Sequence, residues 1–395
     1  MRTLTLKKRA SQAARAGRLL LKEQDFVKPP HFEEGDLVQV QDQAGDFLAL
    51  AYLARQNKGI GWIYSYDCQT RWGVDFFQEV FQSAKDKRQG LFHDDLTTAF
   101  RVFNGEGDGL GGLTVDYYAG YLLLQWYSLG IYQNKAAIIE ALKAVYPEAI
   151  AMEGKNRFKN QAVPHKNERL WGQATDQPVL IKENGIKYVT RLADGWMTGI
   201  FLDQRLVRDY LMSKLALGKR VLNTFSYTGA FSLAAAMGGA LSTTSVDLAN
   251  RTKELTAEQF AANGIDLGNS HKVYVMDTFD YFAYAKRHDL TYDVIVMDPP
   301  SFARNGKQIF KVTDQYPQLV HDALEILSSG GYLICSTNAA NYATKTFQRD
   351  INQGAKAGGH QIKLVESFHL PDDFPVPPLS PESDYLKVRV YQKQN

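Results

Sequence analysis

Cysteine is nearly absent: Cys68 and Cys335, far apart in 395 residues, are the only two. They cannot make a four-ligand zinc site on their own, and their scarcity fits a reducing compartment. A cytoplasmic location and no bound metal are therefore expected. No apolar run approaches the ~20 residues of a membrane span, and no secretory signal is present, so no membrane partner is expected. The formal net charge is only +2, so the overall balance does not announce a nucleic-acid binder. Internal repeats and low-complexity tracts are missing too. Two further absences concern ligands. The strand–turn–helix "VLNTFSYTGAFSLAAAMGGA" has no GxGxxG at its turn, so a dinucleotide loses the close glycine approach that its pyrophosphate needs. Without a Walker lysine, a triphosphate loses its cation.

What is present suggests two or three domains, with 45% apolar residues to build their cores. The N-terminus is basic: Arg2, Lys7, Lys8, Arg9, Arg15, Arg18, Lys22 and Lys28 stand against Glu23 and Asp25. A transit peptide has such a composition, but "RTLTLKK" alternates like a strand and no cleavage signal follows. Lys7, Lys8 and Arg9 are instead expected to meet RNA phosphates.

Residues 1–72 read as a small barrel-like β module, with strands near Leu37–Val40, Phe47–Tyr52 and Gly61–Tyr64. Residues 73–190 read as α+β. A helical stretch runs from Asp75 to Phe92, strands follow at Leu113–Tyr117 and Tyr121–Tyr127, and "NKAAIIEALKAVY" is an amphipathic helix. "QPVLIKENGIKYVTRL" is a hairpin turning at Asn184-Gly185. From 191 to 395 strand and helix alternate, which means a doubly wound parallel sheet. Its strands are expected at Arg220–Asn223, Ser242–Val246, Lys272–Met276, Asp293–Met297, Tyr332–Cys335 and Ile362–Glu366. The helix Arg251–Asn263 ends at Gly264, and "DYLKVRVYQK" closes the chain as an antiparallel edge strand.

Ligands of such sheets bind outside the carboxyl ends of the strands. There the sequence places Asn223 and the Phe225-Ser226-Tyr227-Thr228-Gly229 turn, then Asp247, Asp277, Asp298-Pro299-Pro300, and Cys335. Asp247 follows the glycine turn by about twenty residues, the spacing at which a carboxylate meets ribose hydroxyls. Asp277 is placed to accept from an adenine amine. A ribose and an adenine without phosphates describe S-adenosylmethionine. Singly, each aspartate also reads as strand-end solvation or a helix N-cap; all three in register favour the ligand.

After the prolines, enzymes that methylate exocyclic amines usually carry an aromatic; this chain has Ser301, which weakens the amine-methylation reading. Phe302 and Arg304 beyond it are expected to meet RNA. Cys335 reads two ways. A lone strand cysteine is usually an inert small hydrophobe. At a strand's carboxyl end beside Asp298, it is a candidate nucleophile for carbon 6 of a pyrimidine.

"GWMTGIFLDQRLVRDYL", "VLNTFSYTGAFSLAAAMGGA", "VMDPPSF" and "ICSTN" resemble the bacterial ribosomal large-subunit methyltransferase I family. These are class I S-adenosylmethionine enzymes that form 5-methylcytosine in large-subunit ribosomal RNA. The likeness spans essentially the whole chain: "RVFNGEGDGLGGLTVDYY" resembles the family's central-domain signature, and the first module its PUA domain. The resemblance implies that Phe225, Tyr227 and Gly229 line the cofactor, that Asp247 holds the ribose and Asp277 the adenine, and that Gln204 and Arg205 border the pocket. It also implies that Asp298 sits near the methyl group and base, and that Cys335 is the nucleophile. Protonated Asp298 would then stabilise charge on the flipped cytosine ring.

Three places depart from the family pattern. Asn223 replaces a frequent acidic residue, Ile334 the usual serine before the cysteine, and "GRLLLKEQDF" an "HPWVF"-like segment. The expected activity is formation of 5-methylcytosine in large-subunit ribosomal RNA through a covalent Cys335 adduct; the rival within enzymes, methylation of a guanine or adenine nitrogen, would leave Cys335 a bystander. A non-catalytic RNA-binding assembly factor is the rival from another class, and the DPP motif with Cys335 argues against it. The expected partner is large-subunit ribosomal RNA or a precursor particle. A homodimer is compatible with the sequence, which does not set the oligomeric state.

Overall fold

The computed structural model describes residues 1–394 apart from 160–162, 164–166, 174–175 and 306–307. The chain forms two compact units. One is Met1–Ile181 with Thr190–Thr198 and Asp372–Ser383; the other is Lys182–Val189, Gly199–Pro371 and Asp384–Asn395.

The first unit holds two five-stranded sheets. The N-terminal sheet is ordered Arg2–Thr5, Leu37–Gln41, Phe47–Leu53, Gly61–Ser65, Leu20–Leu21, with only Arg2–Thr5 pairing in parallel. Three of its strands lie where the turn spacing puts them and Arg2–Thr5 falls on the alternating "RTLTLKK", whereas Leu20–Leu21 carries no strand signal in the sequence. The second sheet runs Asn167–Gly172, Ala151–Asn156, Tyr121–Trp126, Leu113–Tyr118, Ala99–Asn104. Sequence reading misses Ala151–Asn156, because "AMEGKN" looks polar although every residue in it is buried. Lys155 stays satisfied there by donating to the carbonyls of Asp194 and Gly195, each at 2.8 Å. One core joins Tyr52, Trp62 and Tyr64 to Phe76, Phe100, Val115 and Trp126, so it extends across residue 72.

The segment 104–112 pins this unit together. Asp108 pairs with buried Arg88 at 2.7 Å, and Glu106 accepts from Trp62 Nε1 at 2.8 Å and from the Ser383 hydroxyl. The hairpin Val179–Glu183/Ile186–Thr190 turns at Asn184 and Gly185, with φ of +51° and +80°, as Asn-Gly predicts.

The second unit carries a seven-stranded sheet, its strands numbered here within this unit: β1 (Arg220–Thr224), β2 (Ser242–Asp247), β3 (His271–Val275), β4 (Tyr292–Met297), β5 (Leu327–Thr337), β6 (Ile362–Phe368) and β7 (Lys387–Lys393). The order is β3-β2-β1-β4-β5-β7-β6. β1 to β5 pair in parallel, and β7 is antiparallel to both neighbours. The last strand is antiparallel as expected but is not the edge. Lys387–Tyr391 is buried throughout, whereas exposed β6 forms the edge; a strand flanked on both sides and covered on its faces reads as a continuous buried run.

A second correction bears on function. β5 does not stop at Cys335 but continues through Thr337, so Cys335 lies two residues inside the strand. The sheet order reverses between β1 and β4, and the carboxyl ends of those strands open the crevice where such folds bind ligands.

Candidate functional site

β1 leads into a turn whose backbone is unusual. Phe225, Tyr227 and Gly229 all have positive φ, at +55°, +52° and +77°. For bulky L-residues this conformation costs energy and persists only where surrounding contacts impose it. Those contacts are visible. The Asp247 carboxylate, at the end of β2, accepts from Tyr227 N at 2.9 Å through Oδ2 and from Ala249 N at 2.9 Å through Oδ1. Ser226 N donates to Val246 O at 3.0 Å. At Gly229 an added Cβ would lie 2.6 Å from Thr256 Cγ2, so the position needs glycine for conformation and for space. Asn223 faces away from the crevice: it is buried, and its amide donates to Ser232 Oγ at 3.1 Å.

Asp277 caps the helix Thr278–Arg287, accepting from Phe279 N at 2.8 Å. Asp247 and Asp277 therefore both hold local backbone, and both remain only partly buried at adjacent strand ends. A carboxylate oxygen has a second lone pair, so neither role excludes a ligand.

The FLDQR segment joins this turn. Thr228 Oγ1 donates to Gly199 O at 2.6 Å, and the Phe201 and Tyr227 rings lie 5.7 Å apart. Buried Gln204 donates through Nε2 to Ser336 Oγ at 2.8 Å, while its Oε1 has no donor. A buried acceptor left unpaired costs about 1–3 kcal/mol, so this atom suits a ligand N–H or water. Arg205 is buried beside it in the sequence. Sequence reading overlooked Arg208, whose bidentate pair with Glu183 at 2.6 and 2.8 Å and bond to Phe201 O at 2.8 Å fix the helix that carries the motif.

Asp298 follows β4. Burial raises its carboxyl to about 6, with the Asp203 charge adding to the rise; Ser336, Arg208 and Gln204 oppose it. Asp203 itself accepts from Tyr385 Oη at 2.8 Å. Ser336 and Asp203 belong to this network but carry no sequence signal beyond their neighbours. At the exit of β5, Ser301 Oγ donates to exposed Asn338 Oδ1 at 2.8 Å.

Cys335 stands apart. It is fully buried in a core that includes Tyr316, Tyr342 and Phe347. Burial pushes its thiol far above the ordinary range, and a hydrogen bond with Tyr316 only partly opposes this. In register it faces Met297 on β4 and Arg389 on β7. The chain thus brings Phe225, Tyr227, Gly229, Asp247, Asp277 and Asp298 to neighbouring strand ends, with Gln204 reaching Ser336 near the end of β5 and Arg205 buried next to Gln204 in the chain, and leaves Cys335 in the sheet. Phe302 is 56% exposed, and Arg304 is exposed on the hairpin after the DPP segment. Lys7, Lys8 and Arg9 are exposed at the start of the helix Lys8–Arg15 in the first unit.

The donor set suits an adenosine carried on a cation. Carboxylates stand at the ends of β2 and β3, and Gln204, bonded to Ser336 on β5, keeps an unpaired acceptor. Among the described residues no group of His, Cys, Asp and Glu is arranged to hold a metal, and no helix is long and apolar enough to cross a membrane.

Residues 100–386 match the S-adenosylmethionine-dependent methyltransferase family, and residues 4–66 match the PUA-like domain. A Bacillus subtilis (strain 168) protein named "Putative ribosomal RNA large subunit methyltransferase YwbD" is 43% identical over the full length of both chains. The ribosomal RNA large subunit methyltransferase I of Aeromonas salmonicida (strain A449) is 30% identical, covering 90% of this chain and 89% of its own. A crystal structure described as "SMU.776, a putative methyltransferase complexed with SAH" superposes with a TM-score of 0.93 at 44% identity, covering 99% of this chain and all of the other.

Proposed function

This chain belongs to the S-adenosylmethionine-dependent methyltransferases and, among them, to the ribosomal RNA large subunit methyltransferases, and we propose that it methylates a guanine or adenine nitrogen of large-subunit ribosomal RNA beside Asp298. In this reading residues 1–72 are a PUA-like RNA-binding domain, 73–190 a central domain, and 191–395 the methyltransferase domain. Asp247 and Asp277 hold the ribose and adenine of the cofactor; Phe225, Tyr227 and Gly229 shape its wall; Gln204 and Arg205 border it. The bound cofactor supplies an electrophilic methyl group on a sulfonium. Lys7, Lys8 and Arg9 contribute phosphate contacts, with the salt dependence such contacts bring.

The observation that carries the nitrogen target is the burial of Cys335. A ring or exocyclic nitrogen has its own lone pair and needs no thiol. The Asp298 carboxylate, when ionised, accepts a hydrogen bond from a base N–H and takes the proton where the target nitrogen bears one.

Carbon 5 of cytosine is the second reading, supported by the family resemblance and by Cys335 and Asp298 lying on adjacent strands. It requires Cys335 to add to carbon 6. The thiol would have to leave the Tyr316 core and ionise against its burial.

Cys335→Ala separates the two readings. Nitrogen methylation predicts near-normal methyl transfer to ribosomal RNA, a methylated purine by nucleoside mass spectrometry, and no covalent band with 5-fluorocytosine RNA. A wild-type covalent band that depends on S-adenosylmethionine and vanishes in Cys335→Ala, together with loss of transfer, would overturn the nitrogen target.

A further inference from the structure

The segment that follows Asp298-Pro299-Pro300 folds into a short antiparallel hairpin, Phe302–Asn305 with Gln308–Lys311. Its register pairs Phe302 with Lys311, Ala303 with Phe310, and Arg304 with Ile309. Cross-strand partners point to the same side and successive residues to opposite sides. Phe302, Arg304, Ile309 and Lys311 therefore share one face, while Ala303 and Phe310 share the other.

The two faces differ in what they meet. Phe310 lies 5.7 Å from the Phe225 ring and 6.4 Å from the Phe279 ring, centroid to centroid. Phe225 is the first left-handed residue of the turn that Asp247 holds, and Phe279 is the residue whose N–H Asp277 caps. One aromatic side chain thus touches a neighbour of each carboxylate assigned to the cofactor. The opposite face is open. Phe302 is 56% and Ile309 46% exposed, and Arg304 and Lys311 are exposed beside them, Lys311 4.0 Å from Asp314. Aromatic and aliphatic surface interleaved with two cations complements single-stranded RNA, whose bases stack and whose phosphates are anionic.

We propose that this hairpin couples the two substrates: Phe310 packs the cofactor turn from within, and the Phe302–Arg304–Ile309–Lys311 face takes a base and its phosphates from single-stranded RNA. The inference rests on the reading that the crevice holds S-adenosylmethionine and acts on RNA, but not on which base atom is methylated. Phe310 is a positioning residue. It acts on RNA only through the hairpin, and on the cofactor through Phe225 and Phe279. Cofactor and RNA then favour the same placement of the hairpin, so each raises the affinity of the other by the same factor.

The full-length protein tests this with S-adenosylhomocysteine in calorimetry and with a fluorescent large-subunit ribosomal RNA transcript, titrated with and without S-adenosylhomocysteine. Wild type is expected to bind the transcript at least about fivefold tighter when S-adenosylhomocysteine is present. Phe310→Ala should weaken S-adenosylhomocysteine several-fold and abolish that enhancement, and Phe310→Tyr should restore both. Phe310→Leu keeps apolar volume without the ring; it is expected to show the same loss, and it replaces the alanine variant if that one does not fold. Phe302→Ala with Arg304→Gln should leave S-adenosylhomocysteine affinity unchanged, weaken RNA binding and flatten its salt dependence. Wild-type RNA affinity indifferent to S-adenosylhomocysteine, or Phe310→Leu with wild-type affinity and enhancement, overturns the coupling alone. Failure of wild type to bind S-adenosylhomocysteine at all would overturn the cofactor reading on which it stands.

Discussion

Two turns with glycine, one in each unit, differ in how much of their chemistry is already satisfied. The segment 104–112 is crowded with glycine and acid. Its groups are consumed internally. A Cβ on Gly107 would sit 1.8 Å from Pro375 O, and one on Gly111 2.1 Å from Trp62 Cδ1. Asp108 is paired with Arg88, and Glu106 with Trp62 and Ser383. The turn after β1 has one glycine and gives positive φ to Phe225 and Tyr227 as well. Around it Ser226 Oγ and Gln204 Oε1 have no partner. Glycine content alone therefore does not separate the two turns. Positive φ at bulky residues beside unsatisfied polar atoms does, and because such features are tolerated where a ligand completes the arrangement, the second turn is the one proposed to hold the cofactor.

Removing the internal partner in the first turn should give the largest effect. Arg88 donates to Asp108 twice, at 3.0 and 2.7 Å, and to the carbonyls of Ala84, Arg101 and Asp373. Arg88→Met leaves the buried Asp108 carboxylate with only Lys87 Nζ at 3.3 Å and Asn104 N at 2.7 Å, a loss of up to about 3–5 kcal/mol. Denaturant melts should show that loss, with S-adenosylhomocysteine affinity unchanged under conditions where the protein is folded. A selective loss of ligand affinity at unchanged stability would break the contrast between the turns.

The reciprocal change lies in the second turn. Gly229→Ala must adopt φ of +77° with its methyl against Thr256. S-adenosylhomocysteine affinity should fall roughly tenfold, about 1.4 kcal/mol, as the turn shifts. Gly111→Ala, with its clash against Trp62, should instead cost stability and leave ligand affinity alone. Equal ligand affinities in the two variants would show that the second turn is not the cofactor wall.

The sheet itself was legible, because the β1 to β4 segments are short, carry β-branched residues and are separated by helices. The Asn184-Gly185 hairpin and the Gly264 helix end were legible from turn chemistry alone. The edge strand was not. Nothing local in "KVRVYQK" says that β6 will pair outside it, since pairing order is a long-range choice. Nor was the end of β5. "ICSTN" looks like a strand stopping at its cysteine, yet Ser336 and Thr337 continue the pairing with β7. That two-residue difference moves Cys335 from the crevice into the core. The site's carboxylates were read correctly as strand-end groups, but their backbone partners, and the roles of Asp203, Ser336 and Phe310, depend on contacts between distant segments.

Asp108 and Asp298 give the smallest and sharpest contrast. Asp108 has the Arg88 guanidinium against it at 2.7 Å, whereas burial raises the Asp298 carboxyl to about 6, above the usual 3.8, with the Asp203 charge adding to the rise and Arg208 opposing it. The folded protein therefore binds this proton more tightly than the unfolded chain does. Asp298's contribution to stability is largest below about 3.8 and is lost as pH rises to about 6, beyond which it is constant. Asp298→Asn should remove that slope while reducing methyl transfer. Activity should move the other way in the same window. If the ionised carboxylate accepts from the base, single-turnover methyl transfer should rise with pH through about 6, gaining roughly tenfold from one pH unit below to well above it. If carbon 5 of cytosine is the target and protonated Asp298 stabilises the ring, transfer should fall through the same value. A flat profile would remove Asp298 from the proton's path and leave it to orient the base alone.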